Sequence, residues 1–159
     1  MKCNRSHKTL YLFWVLMLFW NIQRLQAGND TSTCRLLFEK IEAEADDKIW
    51  PRYNEELRIL AEKHIAQERD SLLLKFYKKY LGAALNNEGV LKQNKGNSKE
   101  ALMLYEKALL LRKEAGDERG IAETMNNLGH VYHTQGNIPV AIDYYRKSLA
   151  IQERIRDLE

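Results

Sequence analysis

The chain has 159 residues, of which 45% are hydrophobic and 30% are charged, and this length is sufficient for one domain. Two prolines and eight glycines are too few for a disordered tract or an all-β fold. The composition therefore indicates a helix-rich globular protein. The formal net charge is +3, and its distribution along the chain decides what it means.

Residues 1–27 have the layout of a secretory signal peptide. Basic residues precede an unbroken apolar run over residues 10–20, and a plausible cleavage point lies between Ala27 and Gly28. This run of eleven residues is short of the roughly 20 that a membrane-spanning helix needs. We therefore predict a secreted or periplasmic protein. The alternative is that the segment is retained as an N-terminal membrane anchor, and only then do we expect contact with a membrane.

The positive charge belongs to this N-terminal segment. Residues 1–27 contain four of the 25 basic residues and none of the 22 acidic residues, so the rest of the chain has a net charge of −1. No basic stripe remains to favour nucleic-acid binding. Removal of Cys3 leaves Cys34 without a partner for an internal disulfide, and we expect a partly buried thiol there.

Two helices are predicted before residue 70. Apolar residues recur at helical spacing over 34–48, and the same spacing resumes over 52–68. Trp50-Pro51 marks the break between them, because a proline disfavours the helical conformation in the residue before it. Residues 28–69 are therefore predicted to form a helical hairpin.

The next helix is predicted over 71–95. Asp70 is a typical N-cap for it, and Gly96 is a typical stop. Asn97 can cap the following helix while Glu100 reaches back to it, in a capping-box arrangement.

A loop at 116–120 is predicted to separate the helix that follows Asn97 from the last two helices. We predict a helix over 121–135 and another that runs to about Arg156. Asn137 again offers a cap, and Pro139 is tolerated in the first helical turn. The sequence gives no strand signal, so the predicted fold class is all-α.

A 40-residue internal repeat organises this helical part of the chain. Residues 82–119 and 122–159 share ten identities in 38 aligned pairs, against roughly two expected from average usage. The identical residues of the first copy are Asn86, Asn87, Gly89, Gly96, Asn97, Ala101, Tyr105, Lys107, Leu109 and Asp117.

These residues resemble the tetratricopeptide repeat, a pair of antiparallel helices with small and aromatic residues at set positions. The matching residues are Gly89, Ala101, Tyr105 and Ala108 in the first unit and Leu128, Gly129, Tyr132, Ala141, Tyr145 and Ser148 in the second. Glu88 and Lys92 depart from the pattern in the first unit, and the usual closing proline is absent from both. The repeats are also similar to those of kinesin light chains.

The resemblance implies a helical solenoid with a defined domain organisation. We predict one repeat over 82–121 and a second over 122–159, with residues 70–81 as an N-terminal extension of the first repeat helix. Residues 28–69 are predicted to be a degenerate unit, because Ala61 lies forty residues before Ala101. Gly129 and Ala141 are expected where two helices cross, beside the ring of Tyr145.

The resemblance also implies a binding groove lined by the first helix of each unit, in which amide side chains can pair with the backbone of an extended peptide. The alternative is that Asn87 and Asn127 only satisfy local backbone groups. The predicted peptide-binding residues are Ala83, Asn86, Asn87, Val90, Gln93 and Asn94 from the first unit and Glu123, Asn126, Asn127, His130, His133 and Thr134 from the second.

The residues give little support to an enzyme or a metal site. His130 and His133 are the right distance apart to face one side of a helix, but structural zinc needs four ligands and no set of partners is spaced around them. No phosphate-binding loop or nucleophile motif is present. We therefore predict a non-catalytic protein without a cofactor, with a protein or peptide as its partner.

The C-terminal helix carries apolar residues beyond those that face its partner helix: Ile142, Leu149, Ile151 and Ile155. A solenoid unit normally buries such residues against a neighbour, so self-association through this helix is expected. The layout also resembles the N-terminal sensor region of bacterial membrane signalling proteins, such as histidine kinases and nucleotide cyclases. The alternative function is therefore that of a truncated sensor fragment in signal transduction, without its output domain.

Overall fold

The computed structural model describes residues 30–44 and 49–158, and these residues form six α-helices with no strand among them. The predicted signal segment, residues 45–48 and Glu159 lie outside the described residues. The helices are α1 (30–43), α2 (Trp50–Gln67), α3 (Ser71–Asn94), α4 (Ser98–Ala115), α5 (Glu118–Thr134) and α6 (Ile138–Arg156). The all-α prediction is confirmed. Within the described residues no helix has the length and apolar character to cross a membrane.

The helices pair in chain order as antiparallel hairpins. Helix α3 packs mainly on α4, and α5 packs mainly on α6. Helix α1 runs antiparallel to α2, because Asp30 lies 2.9 Å from His64 while Lys40 lies over the ring of Tyr53. Further contacts join α2 to α3 and α4 to α5, so the hairpins stack in a row.

Small residues allow the close approach of α3 to α4 and of α5 to α6. A Cβ built on Gly89 would lie 2.6 Å from the Tyr105 ring, and one built on Gly129 would lie 2.8 Å from the Tyr145 ring. Ala101 and Ala141 are buried at the same crossings. The predicted packing of small residues against tyrosine rings is thus what the structure contains. The ring of Tyr132, on the first helix of the second unit, stacks on the ring of Tyr144.

Two clusters of buried apolar side chains form the core. The first joins α1, α2 and α3 through Cys34, Leu37, Leu57, Tyr77 and Ala84. The second joins α4 and α5 through Ala101, Tyr105, Leu128 and Val131. Cys34 is fully buried rather than partly buried, and desolvation with the nearby Asp30 carboxyl raises the pKa of its thiol to about 12.

Glycine ends three of the helices in the left-handed region of backbone space. Gly96, Gly116 and Gly136 have φ values of 81°, 73° and 79°. The residue after each of them donates its N–H to a carbonyl five residues back, as in Asn97 to Lys92 at 2.9 Å. A side chain with a Cβ is strained in this conformation, so the glycines place the turns between helices.

The predicted caps have different outcomes. Asp70 caps α3 by accepting hydrogen bonds from the N–H groups of Leu72 and Leu73 at 2.8 and 3.1 Å. Asn97 and Asn137 make no side-chain cap bond, so those two predictions are wrong. Their ψ angles are 60° and 68°, against 124° at Asp70. Asp117 also follows a glycine turn, with a ψ of 79°, and its side chain does accept a hydrogen bond from the Gly120 N–H, so the turn alone does not explain the missing caps.

Three further details of the helix ends differ from the predictions. Glu100 does not reach back to Asn97 but pairs with the Lys92 ammonium at 2.6 Å. The predicted loop at 116–120 is shorter than expected, because Asp117 accepts a hydrogen bond from the Gly120 N–H and α5 begins at Glu118. Trp50-Pro51 separates two helices as predicted, but both residues lie in the first turn of α2.

Candidate functional site

The predicted binding residues lie where α3 and α5 run side by side, a surface that we call the first-helix face. The two helices are joined there by side-chain hydrogen bonds. The Asn86 amide donates to the Glu123 carboxylate at 2.9 Å and accepts from the Asn127 amide at 3.0 Å. Asn86 is only 1% exposed, so these two bonds lie inside the contact between the helices.

A similar pairing joins α3 to α2. The Asn87 amide donates to the Asn54 side-chain oxygen at 3.2 Å, and Asn54 in turn donates to the Ala84 carbonyl at 3.0 Å. Asn86, Asn87 and Asn127 therefore hold neighbouring helices together. They do not form a row of free amides for a ligand, nor do they bond to local backbone groups as the alternative supposed.

The predicted groove depended mainly on a row of asparagine side chains. In the structure only some of the predicted binding residues face solvent. An asparagine at a helix contact keeps its hydrogen bonds because a buried amide without partners is costly. Asn86 is buried, and Asn87, Val90, Gln93 and Asn127 are half-buried. The predicted residues that face solvent are Asn94, Glu123, Asn126, His130, His133 and Thr134.

Gln93 connects this exposed surface to the core. Its side-chain oxygen accepts a hydrogen bond from the Tyr105 hydroxyl at 2.8 Å, and its amide nitrogen contacts Nδ1 of His130. Tyr105 is fully buried, and desolvation together with the Glu123 charge raises the pKa of its hydroxyl to about 12. A buried, protonated tyrosine thus orients Gln93, and Gln93 positions the imidazole of His130 at the surface.

Arg112 holds α4 against the start of α5. It is 2% exposed, and its guanidinium donates to the Gly120 carbonyl at 2.6 Å and to the Thr124 hydroxyl at 2.7 Å. The same group lies 3.3 Å from the Glu123 carboxylate. A Cβ on Gly120 would lie 2.7 Å from Nε of Arg112, so glycine leaves room for this side chain.

Sequence reasoning did not identify Arg112 or Asn54. Arg112 stands in an apolar run at the end of a helix, where a solvated basic residue is the ordinary expectation. The spacing of Asp117 and Gly120 just after it was the available signal, since it marks a helix start with room for a bulky neighbour. Asn54 has no comparable signal, because its partners lie on α3 about thirty residues away.

A cavity of about 320 Å³ opens between α1, α2, α3, the end of α4 and the start of α5. Its walls combine aromatic and aliphatic side chains with carboxylates. The residues that line it are Phe38, Ile41, Glu42, Glu44, Trp50, Asn87, Val90, Arg112 and Glu123.

No group of three or more histidine, cysteine or acidic side chains is arranged as a metal site in the part of the chain that the structure describes. His130 and His133 are both exposed on α5. The His130 imidazole contacts the Gln93 amide, so it is one of the hydrogen-bonding groups of the first-helix face.

Comparison with known protein families matches residues 80–154 to the tetratricopeptide repeat. Residues 80–154 are tetratricopeptide repeats. The match covers α4, α5 and most of α3 and α6, and it confirms the predicted resemblance. Small residues are buried at the positions that this family requires, including Ala101, Ala108, Ala141 and Ser148.

The tetratricopeptide region is also similar to a curated protein, the photosystem I assembly protein Ycf3 of Prochlorococcus marinus. The two are 42% identical over 62 residues, which is 39% of this chain and 34% of that protein. The chain therefore matches about a third of the length of this relative. No solved structure matches the chain.

The tetratricopeptide repeat is a protein-interaction fold, and this agrees with the predicted class of partner. The chemistry described above also fits that class. The exposed groups among the predicted binding residues are amides, imidazoles, one carboxylate and one hydroxyl, which donate and accept hydrogen bonds.

Proposed function

We propose that this protein is a non-catalytic binding module that holds a peptide or protein segment on the first-helix face, outside the cytoplasm. The observation that carries the proposal is the division of that face into two parts. Asn86 and Asn127 bond the helices to each other, and Asn126, His130 and His133 are exposed beside them. Rigid helices with exposed hydrogen-bonding groups are preorganised for a ligand, which lowers the entropic cost of binding.

Three further points support this proposal. By its name, the similar protein Ycf3 is an assembly protein, and an assembly protein acts on other proteins. The predicted export signal over 1–27 is the basis for the location outside the cytoplasm. The groove deduced from the family resemblance also keeps six solvent-facing residues of the twelve that the sequence predicted.

The first test removes exposed groups without disturbing the helix contacts. We expect Asn126→Ala combined with His130→Ala to lower partner recovery about tenfold, which corresponds to about 1.4 kcal/mol of binding free energy. Recovery is measured by pull-down from native extract, and circular dichroism checks that helicity is unchanged. The matched control is Glu106→Ala with Lys107→Ala, two exposed residues of α4.

The control variant is expected to recover partners like the wild type. If the double variant on α5 recovers every partner as well as the wild type does, the first-helix face is not the binding surface. Asn86→Ala is unsuitable for this test because Asn86 is buried and bonded to α5.

Self-association through α6 is a second candidate function, and an internal comparison favours it. Leu102 and Leu109 of α4 are half-buried and pack on the second core cluster, which includes residues of α5. Forty residues later, Ile142 and Leu149 of α6 are 50% and 54% exposed. The same two positions are thus covered in one unit and open in the next, and Ile138 extends the open stripe by one turn.

A second copy of the chain can cover this stripe by pairing α6 with α6, because Ile142 and Leu149 have the seven-residue spacing of helix–helix seams. We expect two differently tagged copies to co-purify and Leu149→Lys to reduce the co-purified fraction at least fivefold. Leu110→Lys is the matched control, since Leu110 is 59% exposed on α4. Equal co-purification by both variants would exclude α6 as the interface.

A further inference from the structure

The cavity between α1, α2, α3 and α5 has a distinct chemical character. Its apolar walls are Phe38 and Ile41 of α1, Trp50 of α2 and Val90 of α3. Three carboxylates complete the lining: Glu42, Glu44 and Glu123. An apolar cavity of this volume with a few charged groups has the properties of a ligand pocket.

The described lining residues include more acidic than basic side chains. Arg112 is the one basic residue among the described lining residues, and its Nη1 atom donates to Gly120 and Thr124 and lies 3.3 Å from the Glu123 carboxylate. It also lies 3.9 Å from the Asp117 carboxylate, which adds a further negative charge beside it. Lys40, two residues before Glu42 on the chain, lies over the Tyr53 ring and outside the lining. Among the lining residues that the structure describes, three carboxylates therefore stand against one guanidinium.

This combination selects between classes of ligand. A lysine or arginine side chain places its methylene stem along apolar walls while its charged head meets carboxylates. The rings of Trp50 and Phe38 add cation–π attraction where the head lies over them. An acidic segment would instead meet like charges, which weakens binding.

The position of the cavity connects it to the first-helix face. Asn87, Val90 and Glu123 belong both to the predicted peptide-binding residues and to the lining of the cavity. Glu123 is next to the exposed stretch of α5 that carries Asn126 and His130. A segment lying along α5 can therefore place one of its side chains in the cavity.

We infer that the cavity takes a lysine or arginine side chain of the bound segment, so that the partner is a basic segment with apolar neighbours around the anchor residue. This rests on the proposed function, because it assigns a ligand chemistry to one end of the same surface. The apolar walls favour apolar residues beside the anchor residue, and the carboxylates favour a positive charge on the anchor itself.

The experiment selects ligands from a random dodecapeptide display library on the full chain. We expect the wild type to enrich lysine or arginine next to aliphatic or aromatic residues at least fivefold over the unselected library. Glu42→Lys reverses a charge at an exposed position of α1 and should abolish this enrichment. Glu106→Lys makes the same change on α4, outside the lining, and should retain it.

A synthetic copy of one selected peptide then gives the affinity. Replacement of its basic anchor by glutamate should raise the Kd at least tenfold for the wild type and much less for Glu42→Lys.

The outcomes separate the two proposals. Two results would overturn the inference and leave the proposed function intact. In the first, the selected peptides need Asn126 and His130 but show no preference for basic residues. In the second, their binding is unchanged in Glu42→Lys. If no selected peptide loses binding in the Asn126→Ala, His130→Ala variant, the first-helix face is not a peptide site and both are overturned.

Discussion

Replacement of Tyr105 by alanine is expected to lower the free energy of unfolding by about 3–5 kcal/mol. Tyr105 is fully buried and belongs to the second core cluster, and its ring fills the space that Gly89 leaves. Its hydroxyl also donates to Gln93, so the truncation creates a cavity and removes a hydrogen bond at once. Urea denaturation followed by circular dichroism at 222 nm measures the change.

Tyr145→Ala is the matched control, because Tyr145 occupies the same position of the second repeat and contacts Gly129 in the same way. Tyr145 is only half-buried, so its loss should cost clearly less than the loss of Tyr105. Equal losses would show that burial does not distinguish the two positions. Tyr105→Phe isolates the hydroxyl, whose removal should cost about 1 kcal/mol.

Arg112→Gln is expected to cost about 3–5 kcal/mol, the usual effect of removing one partner from a buried charged network. The shorter, neutral side chain removes the guanidinium hydrogen bonds to the Gly120 carbonyl and the Thr124 hydroxyl, and it removes the positive charge beside Glu123. Lys79 remains 4.0 Å from Asp117, and the Thr124 hydroxyl still donates to the Gly120 carbonyl. These contacts join α4 to α5, so the variant should weaken the coupling between the two repeats and allow them to unfold separately. Urea denaturation should then show a lower midpoint or two transitions.

The second repeat provides the control for this prediction. Gln152 stands forty residues after Arg112 and is exposed, so Gln152→Arg should change the free energy of unfolding by no more than about 0.5 kcal/mol. If Arg112→Gln is as mild as Gln152→Arg, the network around Arg112 does not stabilise the contact between repeats.

The sequence by itself determined the helices and the way that each hairpin closes. Gly96, Gly116 and Gly136 end helices because the left-handed turn is a local property of the residue. The pairing of Gly89 with Tyr105 was also predictable, because both residues belong to one repeat unit and recur forty residues later. Such features depend on neighbours within the unit, so they occur in both copies of the repeat.

The caps at Asn97 and Asn137 show where local reasoning was insufficient. An asparagine before a helix usually caps it, but Asn97 and Asn137 follow glycine turns with ψ angles of 60° and 68° and make no cap bond, whereas Asp117 after Gly116 does. The backbone angle of a residue follows from the turn that contains it, and residue type alone does not supply it.

Only the tertiary structure decided which asparagines bond to another helix and which face solvent. Asn86 and Asn126 are equivalent in sequence, yet Asn86 is buried and bonded to α5 while Asn126 is exposed. The same holds for Arg112 and Gln152, of which only the first reaches a following helix. In stacked repeats, the surroundings of a side chain come from the next unit as much as from its own. The repeat pattern therefore specified the positions on each helix, and the stacking of one hairpin on the next specified what those positions do.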